Sequence, residues 1–369
     1  MSLPVTRDYL DLFLTGAPLL DVRAPVEFAK GAFPGAWNLP LLEDSERHQV
    51  GIRYKHAGQD AAITLGHELV GGAVRAARTA AWAAWCRQHP EGYLYCFRGG
   101  LRSCTVQQWL ADEGVTVPLV QGGYKAMRRF LLERFQQDLA RTPLLLVCGR
   151  TGTGKTRVIE ALDRALDLEG RAHHRGSAFG RRPGGQPAQI DFENALAIDL
   201  LRLRHTGDRP VALEDEGRLV GRCALPLPLQ AAMKTAPQIM IEESLASRVT
   251  VTLEDYVIAP VDEYLQLGDA GQTEQDARAR LGESLLAALD RIRKRLGGLQ
   301  HARLRAQLQD ALALQARTGS PDAHRVWIES LLRDYYDPMY DYMLGKRDGQ
   351  ALFTGSRAEV LAWLRERCA

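Results

Sequence analysis

The sequence predicts an α/β protein: two parallel-sheet domains in succession, then a helical C-terminal region. Three observations carry that expectation. Short apolar runs enter glycine-rich loops near 93–100 and 144–154, and a segment of helical pattern leaves each loop. Strands that alternate with helices pair in parallel, because each helical crossover returns the next strand in the same direction. Beyond about residue 260 the pattern is mostly helical, from Glu274 through Leu314, broken at Gly297-Gly298. A chain of 369 residues suits two or three domains. The expected boundaries are 1–137, 138–260 and 261–369.

Bulk composition narrows the class. Hydrophobic residues make up 46%, enough for a large core. No apolar run is long enough to span a bilayer, and the first residues already carry Arg7, Asp8 and Asp11, so a cytoplasmic protein without membrane attachment is expected. Six cysteines (86, 96, 104, 148, 223 and 368) show no CxxC spacing. Reduced thiols are expected, with no zinc or iron site. A net charge of +2 does not by itself call for nucleic acid.

In the first segment, Leu19 to Arg23 reads as a buried strand ending in a charged pair. Asp21 and Arg23 are expected to brace neighbouring loops. Pro34-Gly35 marks a turn. Ala73 to Trp85 reads as a helix with Trp82 and Trp85 on its core face. Tyr93-Leu94-Tyr95 is the strand that enters the loop Cys96-Phe97-Arg98-Gly99-Gly100-Leu101-Arg102-Ser103, and Thr105 to Leu110 is the helix that leaves it. Glycines let successive N–H groups turn inward, and a helix N-terminus adds partial positive charge. Such a cradle holds an anion and favours a thiolate, the reactive form of cysteine. Cys96 is therefore the candidate nucleophile, with Arg98, Gly99, Gly100, Arg102 and Ser103 as its anion loop. Cys104 is expected to pack in the first helical turn, with a resolving thiol as the alternative. Val115 to Val120 reads as a strand leading to Gly122-Gly123-Tyr124.

In the second segment, Leu144 to Cys148 is an uncharged strand that runs into Gly149-Arg150-Thr151-Gly152-Thr153-Gly154-Lys155-Thr156. This fits G-x4-G-K-[ST] in full, and Arg157 to Leu166 reads as the helix the motif requires. Gly149, Thr151, Gly152, Thr153, Gly154, Lys155 and Thr156 are expected to bind a diphosphate or triphosphate, with Thr156 a candidate Mg²⁺ ligand. A second strand, Val211 to Leu213, ends in Glu214-Asp215-Glu216, and any of these acids is a further Mg²⁺ candidate. His173 to Arg182 is a basic loop whose Arg175, Arg181 and Arg182 suit a phosphate or an RNA backbone. Gln189 to Arg204 reads as a helix and Gln238 to Glu243 as a strand. Arg248 to Tyr256, after a candidate Ser244 cap, is open between helix and strand.

Across 276–305, eight basic residues face three acids, a local excess of five. Arg291, Arg293, Lys294, Arg295, Arg303 and Arg305 are the candidate nucleic-acid contacts in this patch. The tyrosines at 335, 336, 340 and 342 suit helix packing or base stacking. Ser356 is expected to cap a last helix, Arg357 to Arg367.

Asp21-Val22-Arg23-x-Pro25-x-Glu27-Phe28, Phe33-Pro34-Gly35-Ala36-x-Asn38-Leu39-Pro40, Cys96-x5-Arg102-Ser103 and Gly122-Gly123-Tyr124 together resemble a rhodanese domain. The resemblance implies that Cys96 carries sulfur or selenium as a persulfide or perselenide. A rhodanese-like domain ahead of a P-loop NTPase-like domain is distinctive. So are Leu168-Glu169-Gly170, His174-Arg175-Gly176-Ser177-x-Phe179-Gly180, Gln189-Ile190-Asp191-Phe192-Glu193-Asn194 and Tyr335-Tyr336-Asp337-Pro338-Met339-Tyr340. Over nearly the whole chain this resembles the tRNA 2-selenouridine synthases. That family implies replacement of sulfur by selenium at a wobble 2-thiouridine, through an S-geranyl intermediate and a Cys96 perselenide. It implies selenophosphate and geranyl diphosphate as co-substrates and the anticodon arm of tRNA as partner. It further implies no tightly bound cofactor, with Mg²⁺ as a candidate ion, and contact with the enzyme that makes selenophosphate as a candidate interaction.

The sequence also admits two other readings. An ATP-dependent tRNA sulfurtransferase would gain sulfur and consume ATP. A nucleotide-regulated tRNA-binding scaffold would need neither Cys96 nor the Gly-Lys-Thr of the loop.

Overall fold

The computed structural model describes residues 3–268, 271–344 and 351–368. The chain divides into two compact units, Met1–Asp138 with Ala188–Thr206, and Leu139–Pro187 with Gly207–Ala369. The helix Gln189–His205, which falls within the expected 138–260 segment, thus belongs to the first unit.

The first unit is built on a five-stranded parallel sheet. Its strands are β1 (Val5–Thr6), β2 (Leu19–Asp21), β3 (Trp37–Asn38), β4 (Tyr93–Tyr95) and β5 (Leu119–Val120), in the order β1-β5-β4-β2-β3. The strand expected over 115–120 is two residues long; the Val115 N–H instead closes the turn after the preceding helix by bonding Leu110 O at 2.9 Å. Trp82 and Trp85 are buried in the core beside Leu94, Val106 and Leu110. The helix Gln189–His205 is tied to this unit by polar contacts. Asn194 donates to Ala32 O at 2.7 Å, and Arg202 donates to Phe13 O at 2.8 Å. Ile190 packs so closely on Gly31 that a Cβ there would lie 2.6 Å from its Cγ2.

The second unit holds another five-stranded parallel sheet. Its strands are β6 (Leu144–Gly149), β7 (Ala165–Leu166), β8 (Val211–Glu214), β11 (Gln238–Ile241) and β12 (Phe353–Gly355), in the order β12-β11-β6-β8-β7. A small antiparallel pair, β9 (Leu219–Val220) and β10 (Cys223–Ala224), stands apart from it. The helix after β6 runs only from Lys155 to Glu160, and Ala165–Leu166, expected at its end, forms the edge strand. The Arg248 to Tyr256 stretch is helical: Leu245–Leu253 is an α-helix, and Glu254–Ile258 continues it as a π-helical turn. Ser244 caps it, accepting from the Ser247 N–H at 3.2 Å. Helices Glu274–Arg291, Arg293–Leu296 and Gly298–Thr318 reproduce the expected break at Gly297-Gly298. They share a core with Phe179, Val257 and Trp327. At the start of the last helix the Ser356 N–H donates to the Glu359 carboxylate at 2.8 Å, and the Glu359 N–H donates to Ser356 Oγ at 3.4 Å. Among the described residues, no helix is long and apolar enough to cross a membrane.

Candidate active site

Each sheet places one loop at the C-terminal end of a central strand, where open parallel sheets bind ligands. In the first unit that strand is β4, and Cys96 follows it directly. Gly99 and Gly123 have φ of +58° and +56°. A Cβ on Gly123 would sit 2.2 Å from Cys96 O, so only glycine lets the two loops cross. The Tyr124 and Lys125 N–H groups then bond Cys96 O and Phe97 O at 2.9 and 3.0 Å. The loop is clamped before the helix Leu101–Asp112 begins.

Cys96 is 3% exposed, and its Sγ lies 3.2 Å from Ser103 Oγ. It lines a cavity of about 640 Å³ with Arg23, Glu27, Lys30, Arg47, Arg98 and Arg102. Two forked contacts of 2.6 and 3.2 Å join Arg102 to Glu27, and Arg47 pairs with the same carboxylate at 3.0 Å. Burial opposes the charge on Glu27, yet Arg102 and Arg47 outweigh it and hold its pKa below the usual value. The cavity therefore presents a net excess of cations to whatever enters it. Arg23 and Asp21 brace the wall as expected: they pair at 2.6 Å, and Arg23 donates to Gly31 O at 2.9 Å.

Glu27 gives the unit an acid sensitivity. Its folded pKa lies below the ordinary 4.5, so the pairing contributes stability above pH 4.5 and loses it as pH falls through the lower folded value. Glu27→Gln should flatten the acid limb of a melting-temperature profile below about pH 4.5.

In the second unit the central strand is β6, followed by the Gly149–Thr156 loop. Gly152 and Gly154 have φ of +83° and +81°. Lys155 Nζ bonds Gly149 O at 3.0 Å, and Thr153 Oγ1 bonds Arg150 O at 2.9 Å. Behind the loop, buried Arg248 donates to Thr151 O at 2.9 Å and forks onto both oxygens of Asp337. The cavity here is about 360 Å³. One wall carries Thr156, Glu169 and Glu216; another carries Tyr256, Tyr335, Tyr336 and Met339 from two π-helical turns and the helix that follows.

Thr156 Oγ1 donates to Glu169 at 2.6 Å. Burial, then the neighbouring Glu169, pushes Glu216 well above the usual carboxylate range. Gly176, at φ +52°, lies against this pair: a Cβ there would sit 2.2 Å from Glu169 Oε1 and 2.6 Å from Glu216 Oε1, so the two carboxyls would have to shift. A hydroxyl and two crowded carboxyls form an all-oxygen set that suits Mg²⁺. Among the described residues no group of three or more His, Cys, Asp or Glu is arranged as a metal cage. Mg²⁺ commonly takes one or two carboxylates and fills its shell with phosphate oxygens and water.

A family model described as "tRNA 2-selenouridine synthase AAA domain" matches residues 142–369. A tRNA 2-selenouridine synthase from Alcanivorax borkumensis is 60% identical, over 98% of this chain and 99% of that one. One from Bordetella bronchiseptica is 55% identical over 98% and 97%. A third, from Marinobacter nauticus, is 50% identical over 99% of each. The chain belongs to the tRNA 2-selenouridine synthase family.

In this synthase the two motifs read from sequence assemble as loops over cavities, but the Mg²⁺ candidates divide. Glu214 turns away from the cavity, accepting the Leu168 N–H at 2.9 Å. It is fully buried, and burial followed by Asp167 and Glu169 keeps its pKa far above normal. Asp215 lines a different cavity, with Lys234 and Gln238. Glu216 remains a candidate, with Glu169 beside it; no spacing in the sequence points to Glu169, which lies 45 or more positions from the other acids.

The basic candidates also divide. Arg175 and Arg182 line the P-loop cavity and both pair with Glu263, at 2.9 and 2.7 Å. Arg291 donates to Ala178 O at 2.9 Å, and Arg295 reaches the same cavity. Burial, then Arg181, Arg291 and Arg175, lowers the His174 pKa to about 4, so this cavity-lining imidazole is neutral. Arg181, Arg293, Lys294 and Arg303 are exposed, and Arg305 lies 3.6 Å from Asp290.

Cys104, expected to pack, is exposed in the first helical turn. Burial of its thiol and the nearby Cys96 raise its pKa, the opposite of activation. Cys104→Ser should leave turnover within about twofold of wild type, measured as selenium gained per tRNA.

Proposed function

We propose that this chain, an enzyme of the tRNA 2-selenouridine synthase family, works through two half-reactions on one tRNA base. The first occurs at the P-loop. Its N–H groups and Lys155 hold the diphosphate of geranyl diphosphate while the 2-thiouridine sulfur attacks the allylic carbon. The carbon–oxygen bond breaks, and diphosphate leaves with the electron pair. Thr156, Glu169 and Glu216 would hold Mg²⁺, which offsets charge on that leaving group. Tyr256, Tyr335 and Met339 supply an apolar wall for the prenyl chain. An ATP-dependent sulfurtransferase would instead consume ATP at this loop and add sulfur.

The second half-reaction occurs at Cys96, which carries selenium as a perselenide. The selenium of selenophosphate attacks Sγ of Cys96 held in the disulfide that the last step leaves, and the sulfur–selenium bond forms as the other thiol departs. Water then cleaves the phosphorus–selenium bond, releasing phosphate. Arg98 and Arg102 line the cavity and meet the charge of selenophosphate. Perselenide attacks C2 of the S-geranyl base: a carbon–selenium bond forms, the carbon–sulfur bond breaks, and geranyl thiolate departs. A thiol then cleaves the bond between Cys96 and selenium, releasing 2-selenouridine and leaving a disulfide. The observation that carries the proposal is the pairing of a buried thiol in a cationic cavity with a separate P-loop cavity walled partly by tyrosines and methionine. The exposed bases of 293–303 supply the surface for the tRNA backbone, with the anticodon arm as the part engaged. Contact with a selenophosphate-producing enzyme would shorten the donor's path through water.

Omission experiments test this. With thiolated tRNA, the complete mixture should give 2-selenouridine without ATP. Leaving out selenophosphate should give the S-geranyl nucleoside, and leaving out geranyl diphosphate should give neither. Selenium gain that needs ATP and ignores geranyl diphosphate would contradict it. Glu216→Gln should raise the Mg²⁺ concentration for half-maximal geranylation by about tenfold or more, read in a metal titration.

A further inference from the structure

Beside the Cys96 pocket lies a second cavity, of about 470 Å³. Val50, Ile63 and Val70 face it from the segment 44–70, and Trp109 faces it from the helix Leu101–Asp112. Its size falls within the ~300–1,000 Å³ of small-ligand sites, and apolar walls of this kind take hydrocarbon. Arg98, Leu101 and Arg102 line both cavities, so the apolar space adjoins the space in front of Cys96. Leu101 is 55% exposed there, a large apolar side chain left uncovered at the junction.

We propose that this cavity binds the acyclic hydrocarbon chain on the base's sulfur while C2 faces Cys96. The inference rests on the S-alkylated intermediate of the preceding reading and adds a receptor for it. When selenium attacks C2, the sulfur and its chain stand one bond from the reacting carbon. A chain of about ten carbons then reaches beyond the cationic pocket, and burying it removes apolar surface from water. The carbon–selenium bond forms and the carbon–sulfur bond breaks. The electron pair leaves on the alkyl thiolate, which takes a proton and remains as a thiol in the cavity until released. Binding of the chain thus selects alkylated over unalkylated tRNA at Cys96.

The test uses full-length enzyme, selenophosphate and tRNA carrying either S-geranyl- or S-methyl-2-thiouridine. Both present a thiolate leaving group, and only one has the chain. Wild type should convert the geranyl tRNA with at least about tenfold higher apparent kcat/KM. Gly66 provides a way to fill the cavity, because a Cβ there meets only Val50 Cγ2, at 4.0 Å. Gly66→Leu replaces a helix-interior glycine and should keep or raise the melting temperature. It should bring the geranyl-to-methyl ratio down to about one, whereas Thr64→Leu, on the same helix outside the cavity, should preserve it. Equal conversion of both tRNAs by wild type, or an undiminished ratio in Gly66→Leu, would overturn the cavity's role alone. Absence of selenouridine from both tRNAs would overturn the underlying reaction as well.

Discussion

Cys96→Ser should abolish selenium incorporation, by at least about 10³-fold, while S-geranyl-2-thiouridine accumulates on the tRNA. The substitution removes one property only. Serine is nearly the same size, and its hydroxyl can keep the contact that Cys96 makes with Ser103 at 3.2 Å. The clamp from Tyr124 and Lys125 reaches backbone carbonyls at 96 and 97, so it does not depend on the side chain. A hydroxyl does not carry selenium as a thiolate does. Melting temperature should therefore hold while nucleoside mass spectrometry shows the alkylated intermediate and no selenouridine. Loss of both products would place Cys96 in the first half-reaction too.

Arg248→Leu should have the largest effect on stability. Arg248 is 2% exposed, and its guanidinium forks onto Asp337 at 2.5 and 3.0 Å. Removing Arg248 strands the Asp337 carboxylate, whose side chain is 18% exposed, at a cost of up to about 3–5 kcal/mol. For a domain of this size that is roughly a 10 °C fall in melting temperature. The same change frees the Thr151 carbonyl, so the P-loop loses a fixed point. The double variant Arg248→Leu, Asp337→Leu strands no charge and should recover much of the melting temperature. It should not recover the half-saturating geranyl diphosphate concentration, because the Thr151 contact is still missing. Recovery of both would show that Arg248 acts through stability alone.

The parts of this molecule written in contiguous residues were legible in the sequence. Cys96 with its glycines and Gly149–Thr156 with Lys155 each specify a local conformation, and strand–loop–helix order followed from them. Contacts between distant residues were not legible. Glu27 sits 75 positions from Arg102, and Arg248 sits 89 from Asp337, so no spacing announces either pair. The acid run 214–216 shows the same limit: only the backbone decides that Glu214 turns inward and Glu216 outward. The helix Gln189–His205 was legible as a helix, but amphipathic pattern does not say which sheet it covers. Gly31 and Ala32 recruit it to the first unit through Ile190 and Asn194. The short helix after Lys155 escaped for a related reason. Ala165–Leu166 pairs with Ala212 and Leu213, and that long-range pairing overrides the local helical pattern.

The central claim is that one base passes through an alkylated state at the P-loop and is then converted at Cys96. A pulse–chase measurement tests it most directly. Thiolated tRNA is first incubated with enzyme and isotope-labelled geranyl diphosphate, without selenophosphate, and freed of unreacted donor. Selenophosphate is then added and the nucleosides are followed in time. The labelled S-geranyl nucleoside should decay at the rate at which 2-selenouridine appears, with labelled geranyl thiol or its mixed disulfide released in equal amount. Selenouridine that forms from unalkylated thiouridine, while the labelled nucleoside persists, would contradict the account.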